Sequence, residues 1–227
     1  MRVLNIGSLN IDYVYSVDHI ILPGETEATG SRNTFLGGKG MNQSCALAKA
    51  GVEVYHGGMI GEDGRMFLDA CKEYGVNDQF IKIVDGPSGH TVIQIDKNAQ
   101  NSILLFGGAN QKMTTEYIDE VLSHFGAEDI LLLQNEVNLL PYIVDKAYEK
   151  GMQIALNPSP FNEKLEAVDT TAAGDTFTGY FLAGLADGLP MEEVLRMSAK
   201  ASSIAVTREG AVPSIPYRAE VLEALQA

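Results

Sequence analysis

The strongest constraint on this chain is an alternation: short, almost continuously apolar runs are separated by stretches with a helical period. Arg2 to Gly7, Val52 to Gly57, Ile130 to Gln134 and Met152 to Leu156 are the apolar runs. A strand with one wet face alternates in polarity, whereas a strand covered on both faces reads as a continuous apolar run. The runs therefore predict an α/β fold with a doubly wound, mostly parallel sheet. Between them, Ile118, Val121, Leu122 and Phe125 recur at the spacing of a helix with one buried face, capped by Thr114 or Thr115. Pro141 sits where a first-turn proline belongs, and Lys150 followed by Gly151 supplies a basic last turn and a stop. That segment reads as one βαβ step. Two stretches, about 12–36 and 89–106, alternate like exposed antiparallel strands instead. Thr91 to Asp96 and Asn101 to Phe106 flank a turn-like Lys97-Asn98-Ala99-Gln100 and predict a hairpin. A small antiparallel sheet inserted in an α/β core predicts a lid. No repeat, low-complexity run or linker divides residues 1–227, which read as one domain.

The charge balance narrows the partners. Sixteen basic residues against thirty acidic ones leave a net charge of −14, which repels nucleic acid and anionic membranes over long range. Small molecules held in a local site are the expected ligands. Cys45 and Cys71 form no CxxC pair, so a reducing, cytoplasmic compartment and no disulfide are expected. No apolar stretch has the length of a membrane span or the pattern of a cleaved leader, so neither secretion nor membrane insertion is expected.

Three groups of residues carry chemistry. Asp169-Thr170-Thr171-Ala172-Ala173-Gly174-Asp175-Thr176-Phe177 runs into an apolar, helical stretch over Thr178 to Ala186. Small residues at a helix start let backbone N–H groups approach an anion, and the helix dipole adds to the attraction. Asp175, in the first turn, could accept a proton from a substrate hydroxyl, which suits phosphoryl transfer. The plainer alternative is that Gly174 only permits close packing and Asp175 only caps. Gly37-Gly38-Lys39-Gly40-Met41-Asn42-Gln43 opens a second helix. It is no Walker A loop, because Gly40 follows Lys39 where Ser or Thr should stand. Lys39 and Asn42 are its hydrogen-bonding side chains, and a simple glycine-rich turn is the alternative. Asn10 and Asp12 follow the first strand at the carboxyl end, where open α/β sheets bind ligands, and Glu136 and Asn157 follow later strands at the same edge. Together they could grip a polyol, although each singly is a common cap or turn residue. His19, His56, His90 and His124 lack metal-ligand spacing, and no HExxH or GxSxG motif occurs.

With those residues in view, the chain resembles the ribokinase-like sugar kinases. Gly37 to Ser44, with Gly51 and Gly61 behind it, matches the family's first signature, and Asp169 to Gly179 matches the second. Gly7 to Asp12, Gly107 to Asn110, Asn157 to Pro160 and Ala205 to Ser214 support the match. Tyr180 departs from it, standing where the family has a small residue. The resemblance implies ATP-dependent phosphorylation of a sugar, D-ribose at its 5-hydroxyl being the expected reaction and another sugar or a nucleoside the alternative acceptor. It makes Asn10, Asp12, Gly38, Lys39, Asn42 and Glu136 sugar-binding residues and Asp175 the catalytic base. Ala172, Ala173 and Gly174 become an anion hole for the transferred phosphoryl group. Mg2+ is implied as the companion of ATP. Asp169, Thr171, Ala205, Arg208, Gly210 and Ser214 match the positions of a monovalent cation, with K+ the expected ion. A homodimer through the lid is implied as well.

One departure is large. The family runs to about 300 residues, and about 70 are missing near Leu165 to Val168. In the family that segment supplies strands of the large sheet, an N-x-x-E motif tied to magnesium and phosphate, and a T-x-G-x-x-G stretch at the nucleotide. The large sheet is therefore expected to be truncated, with an exposed edge. A catalytically inactive sugar-binding remnant is the alternative to an active kinase.

Overall fold

The computed structural model describes residues 1–157, 159, 172–205, 207–208 and 210–226. A five-stranded parallel sheet forms the frame: β1 (Val3–Ile6), β4 (Val54–Ile60), β5 (Asn77–Ile83), β8 (Ile130–Gln134) and β9 (Gln153–Asn157), in the spatial order β5-β4-β1-β8-β9. The period-2 geometry of the strands explains their continuous apolar sequence. Val3, Ile130 and Leu132 point to a cluster with Met41, Cys45, Leu47, Phe67 and Leu182. Leu4, Ile6, Leu131 and Leu133 point to the other face, against Ile118, Val121, Leu122, Ile143 and Ala147. Both cysteines are buried and free, as expected.

Helices cover both faces. α1 (Lys39–Lys49), α2 (Met66–Tyr74) and α5 (Ala173–Ala186) contribute to the first cluster, α3 (Thr115–Leu122) and α4 (Leu140–Glu149) to the second. The Thr114 side chain accepts from the Tyr117 N–H and caps α3, and Pro141 lies in the first turn of α4. α6 (Met191–Ala205) and α7 (Arg218–Gln226) pack behind α5. Tyr180 is fully buried there with Ala183, Met197 and Ala201, and its hydroxyl donates to the Pro216 carbonyl at 2.9 Å. The larger side chain is thus packed and satisfied. The helical stretch foreseen from Thr178 begins five residues earlier, which puts Asp175 inside its first turn.

The second sheet is the foreseen lid: β2 (Asn10–Ser16), β3 (Ser31–Gly37), β6 (Gly89–Ile95) and β7 (Asn101–Phe106) in the order β3-β2-β6-β7. The β6–β7 hairpin is antiparallel, but β2 and β6 run parallel, so the lid is mixed. β7 is exposed along its whole length, including Leu104 and Phe106. Asn10 and Asp12 follow β1 and open β2, because the chain leaves the large sheet after Ile6 and re-enters pairing in the lid. One expectation needs correcting: β9 reads from sequence as covered on both faces. It pairs with β8 and, among the described residues, with no other strand, and Leu156 is 49% exposed. No helix among the described residues is long and apolar enough to cross a membrane.

Candidate active site

β1 lies at the centre of the sheet, with β4 and β5 added on one side and β8 and β9 on the other. That reversal opens a crevice at the carboxyl ends of β1 and β8, the usual ligand site of such sheets. A cavity of about 310 Å³ sits there, lined by Asn10, Leu105, Gly107, Asn110, Gln111, Asn135, Glu136 and Val137. A larger recess of about 390 Å³, lined by Met1, Arg2 and 126–129, holds the Arg2–Asp129 ion pair and none of the candidate residues. The smaller cavity is the one that chemistry points to.

Lid and sheet meet in that cavity through buried polar side chains. The Asn110 amide donates to Asn10 Oδ1 at 2.8 Å, and Asn110 Oδ1 accepts from the Leu9 N–H. Asp12 accepts from the Thr91 hydroxyl at 2.6 Å. Gly37 pairs with Asn10 across β2 and β3, and a Cβ on it would stand 2.0 Å from Asp12 Oδ2, so only glycine leaves room for the carboxylate. Burial pushes the Asp12 carboxyl up to about 6; the Thr91 hydroxyl opposes the rise, the negative charge of Glu136 adds to it and Lys39 opposes it.

The start of α1 is held against the same edge. Gly38 adopts a φ of 92°, and a Cβ on it would lie 2.7 Å from the Ser8 carbonyl oxygen. Glu136 accepts from the Ser8 hydroxyl and, at 3.2 Å, from the Lys39 N–H, so it serves as the anionic cap that the first turn of α1 lacks. Asn42 and Gln43, one turn in, reach α5: Asn42 Nδ2 donates to Asp175 Oδ2 at 3.3 Å and Gln43 Nε2 to Asp175 Oδ1 at 2.7 Å. Asp175 is 7% exposed. Asn42 Oδ1 is buried and lacks a hydrogen-bond partner among the described residues. An acceptor left in that state costs about 1–3 kcal/mol unless a ligand donates to it.

α5 begins at a second special point. Ala172 precedes it in the left-handed region, φ 65°, with no side-chain cap. A non-glycine residue there stores about 1 kcal/mol or more of strain and marks candidate functional backbone. Among the described residues nothing lies within 4 Å of a Cβ built on Gly174, which leaves room beside the N-terminal turn for an approaching anion. Ala173 opens the helix beside it.

Of the cation candidates, Asp169 and Thr171 lie outside the described residues. Ala205 ends α6, its carbonyl accepting from the Arg208 N–H at 3.1 Å. Arg208 pairs with Glu220, Gly210 has a φ of 88°, and Ser214 is buried with its hydroxyl on the Ala211 carbonyl. The buried Lys49 amine donates to the carbonyls of Val212 and Ile215 and ties this turn to α1. Among the described residues no three His, Cys, Asp or Glu side chains cluster as a metal site. Asn157 joins none of these groups, since its side chain accepts from the Ser159 N–H instead. Sequence reasoning passed over Ser8, Thr91 and Gln43. Gln43 belongs to the glycine-rich motif that opens α1, but only the fold brings it to Asp175.

The model of the pfkB family carbohydrate kinases matches this chain over residues 2–163 and 156–218. The chain belongs to that family. It is 28% identical to the ribokinase of Haemophilus influenzae over 297 aligned positions, covering 97% of each protein. Because this chain has only 227 residues, at least 70 of those positions hold no residue of it. The ribokinase of Cryptococcus neoformans, solved with ADP, superposes with a TM-score of 0.85 at 27% identity, covering 98% of this chain and 99% of that one. The Arabidopsis thaliana ribokinase complexed with ribose and ATP superposes at 0.75 with 25% identity, covering 100% and 99%. The protein is a sugar kinase of the ribokinase type, shorter than the relatives it aligns with.

Proposed function

We propose that this kinase transfers the γ-phosphoryl group of ATP to the 5-hydroxyl of D-ribose. The observation that carries the proposal is the junction of α1 and α5, where Asn42 and Gln43 hold the buried Asp175 carboxylate in the first turn of α5. Similarity to ribokinases, one of them complexed with ribose and ATP, supports the choice of substrates.

In this reading, Asn10, Asp12, Gly38, Lys39, Asn42 and Glu136 hold the sugar, and Asn42 Oδ1 takes the hydroxyl proton donor it lacks. Asp175 accepts the proton of the 5-hydroxyl as the new O–P bond forms and the bond to the departing ADP oxygen breaks. The backbone N–H groups of Ala172, Ala173 and Gly174 face the charge growing on the transferred group. Mg2+ would arrive with the nucleotide phosphates and would neutralise part of their charge. Backbone carbonyls around Ala205, Arg208, Gly210 and Ser214, with Asp169 and Thr171, suit a hard monovalent ion such as K+. The exposed apolar face of β7 suits a lid-to-lid homodimer.

A second reading has its own observation. At least 70 alignment positions without a residue make a sugar-binding remnant that no longer turns over a coherent alternative. Titration calorimetry with ribose and with MgATP, each alone, separates the two. Binding of both supports the kinase, and ribose binding without nucleotide binding supports the remnant. Turnover across pentoses, hexoses and nucleosides tests the acceptor.

A further inference from the structure

Behind Asp175 runs a chain of buried amides that the reaction as written leaves unused. Gln43 Nε2 donates to Asp175 Oδ1 at 2.7 Å, and Gln43 Oε1 accepts from Gln134 Nε2 at 2.8 Å. The same Gln134 nitrogen donates to Asn5 Oδ1 at 2.9 Å, and Asn5 Nδ2 donates to Ser44 Oγ and to the Gly40 carbonyl, both at 2.8 Å. Ser44 Oγ in turn lies 2.8 Å from His56 Nδ1. Asn5, Gln43, Ser44, His56 and Gln134 are all fully buried.

The chemistry of the ends fixes the direction of every link. An ionised carboxylate only accepts, so Gln43 must turn its NH2 toward Asp175 and its oxygen toward Gln134. Both hydrogens of the Gln134 NH2 are then committed, one to Gln43 and one to Asn5. Asn5 must therefore present its NH2 to Ser44 and to the Gly40 carbonyl. At the far end the Gly7 carbonyl, 3.3 Å from His56 Nε2, can only accept, so the neutral ring carries its proton on Nε2 and its Nδ1 accepts from the Ser44 hydroxyl. The arrangement leaves Gln134 Oε1 buried without a hydrogen-bond partner among the described residues. A fold that tolerates such an orphan acceptor keeps the Gln134 donors aimed at Gln43 and Asn5.

We infer that Gln43 is the positioning residue for Asp175, and that Gln134 holds Gln43 in the one amide orientation that can do this. The inference rests on the reading of Asp175 as the base. With Oδ1 held by Gln43 and Oδ2 by Asn42, the carboxylate cannot turn about its last torsion without breaking a buried hydrogen bond. A base whose plane is fixed meets the substrate hydroxyl in line, and misplacement by an ångström costs about 100-fold in rate.

The test is Gln43→Met, which keeps the length of the side chain and removes the donor. We expect kcat to fall about 10- to 100-fold, with the ribose dissociation constant from calorimetry little changed. In the Asp175→Asn background the same substitution should cost nothing further, because there is no longer a carboxylate to aim; a merely structural role would subtract equally in both backgrounds. Gln134→Met, one link back, should lower kcat in the same direction by less, and it carries the test if Gln43→Met does not fold. Full kcat in Gln43→Met or, where that variant does not fold, in Gln134→Met, beside an inactive Asp175→Asn, overturns the inference alone. An active Asp175→Asn, or a wild-type chain without turnover, overturns the base reading and the inference with it.

Discussion

Replacing Asp12 with Asn should change both stability and sugar binding in a way that depends on pH. The folded-state carboxyl is raised from its ordinary 3.8 to about 6 by burial, so ionising Asp12 opposes folding. The sign follows directly: stability from this group is full below the unfolded value and is lost as pH rises through 6. A shift of that size is worth about 3 kcal/mol in total, of which about 2 kcal/mol is lost between pH 4.5 and pH 7.5. Asn has no charge to bury and can still accept from the Thr91 hydroxyl. Urea unfolding of wild type and Asp12→Asn at those two pH values should therefore show the variant gaining about 2 kcal/mol relative to wild type at the higher pH. Ribose binding moves the other way if the ionised carboxylate accepts the sugar hydroxyls. Wild-type affinity should then weaken about tenfold at pH 5 relative to pH 7, while the variant binds weakly and without that slope. An unfolding difference that is equal at both pH values would refute the buried-charge argument.

Two further substitutions probe the supports of the site. Burial lowers the His56 imidazole from 6.5 to about 4, so its contribution to stability is full above pH 6.5 and falls away as pH drops through 4, by about 3 kcal/mol. His56→Asn should remove that slope, tilting the unfolding curve in the opposite sense to Asp12→Asn; matching tilts would contradict the neutral imidazole assigned to the buried chain. Gly38→Ala forces a Cβ against the Ser8 carbonyl at a φ of 92°, and should cost more than about 1 kcal/mol in urea unfolding while weakening ribose binding. Unchanged binding would mean that the start of α1 does not set the sugar site.

Much of this was legible in the sequence because local signals agree with the fold. β8 was read at its true bounds, and the Thr114 cap and Pro141 marked α3 and α4. β5 escaped because Asn77-Asp78-Gln79-Phe80-Ile81-Lys82-Ile83 buries only Phe80, as an edge strand can. Asn10 and Asp12 follow β1 at the expected edge, but nothing local shows that pairing stops after Ile6 and resumes in the second sheet already at Asn10. The meeting of Gln43, Gln134 and Asn5 was invisible for a different reason: each comes from a separate element, and only sheet order brings them together. The family match divides into residues 2–163 and 156–218, a few residues before the break in pattern read near Leu165 to Val168, and among the described residues β9 with its exposed Leu156 is the last strand before it.

The central claim is that a shortened member of this family still places Asp175 to deprotonate a sugar hydroxyl. The most direct measurement is ribose-dependent ADP formation by the chain of verified intact mass, with MgATP and K+, beside Asp175→Asn. The account predicts steady turnover that falls at least about 100-fold in the variant, with ribose binding retained. Equal rates in the two proteins, or no ribose-dependent ADP from a folded sample that binds ribose, would contradict it.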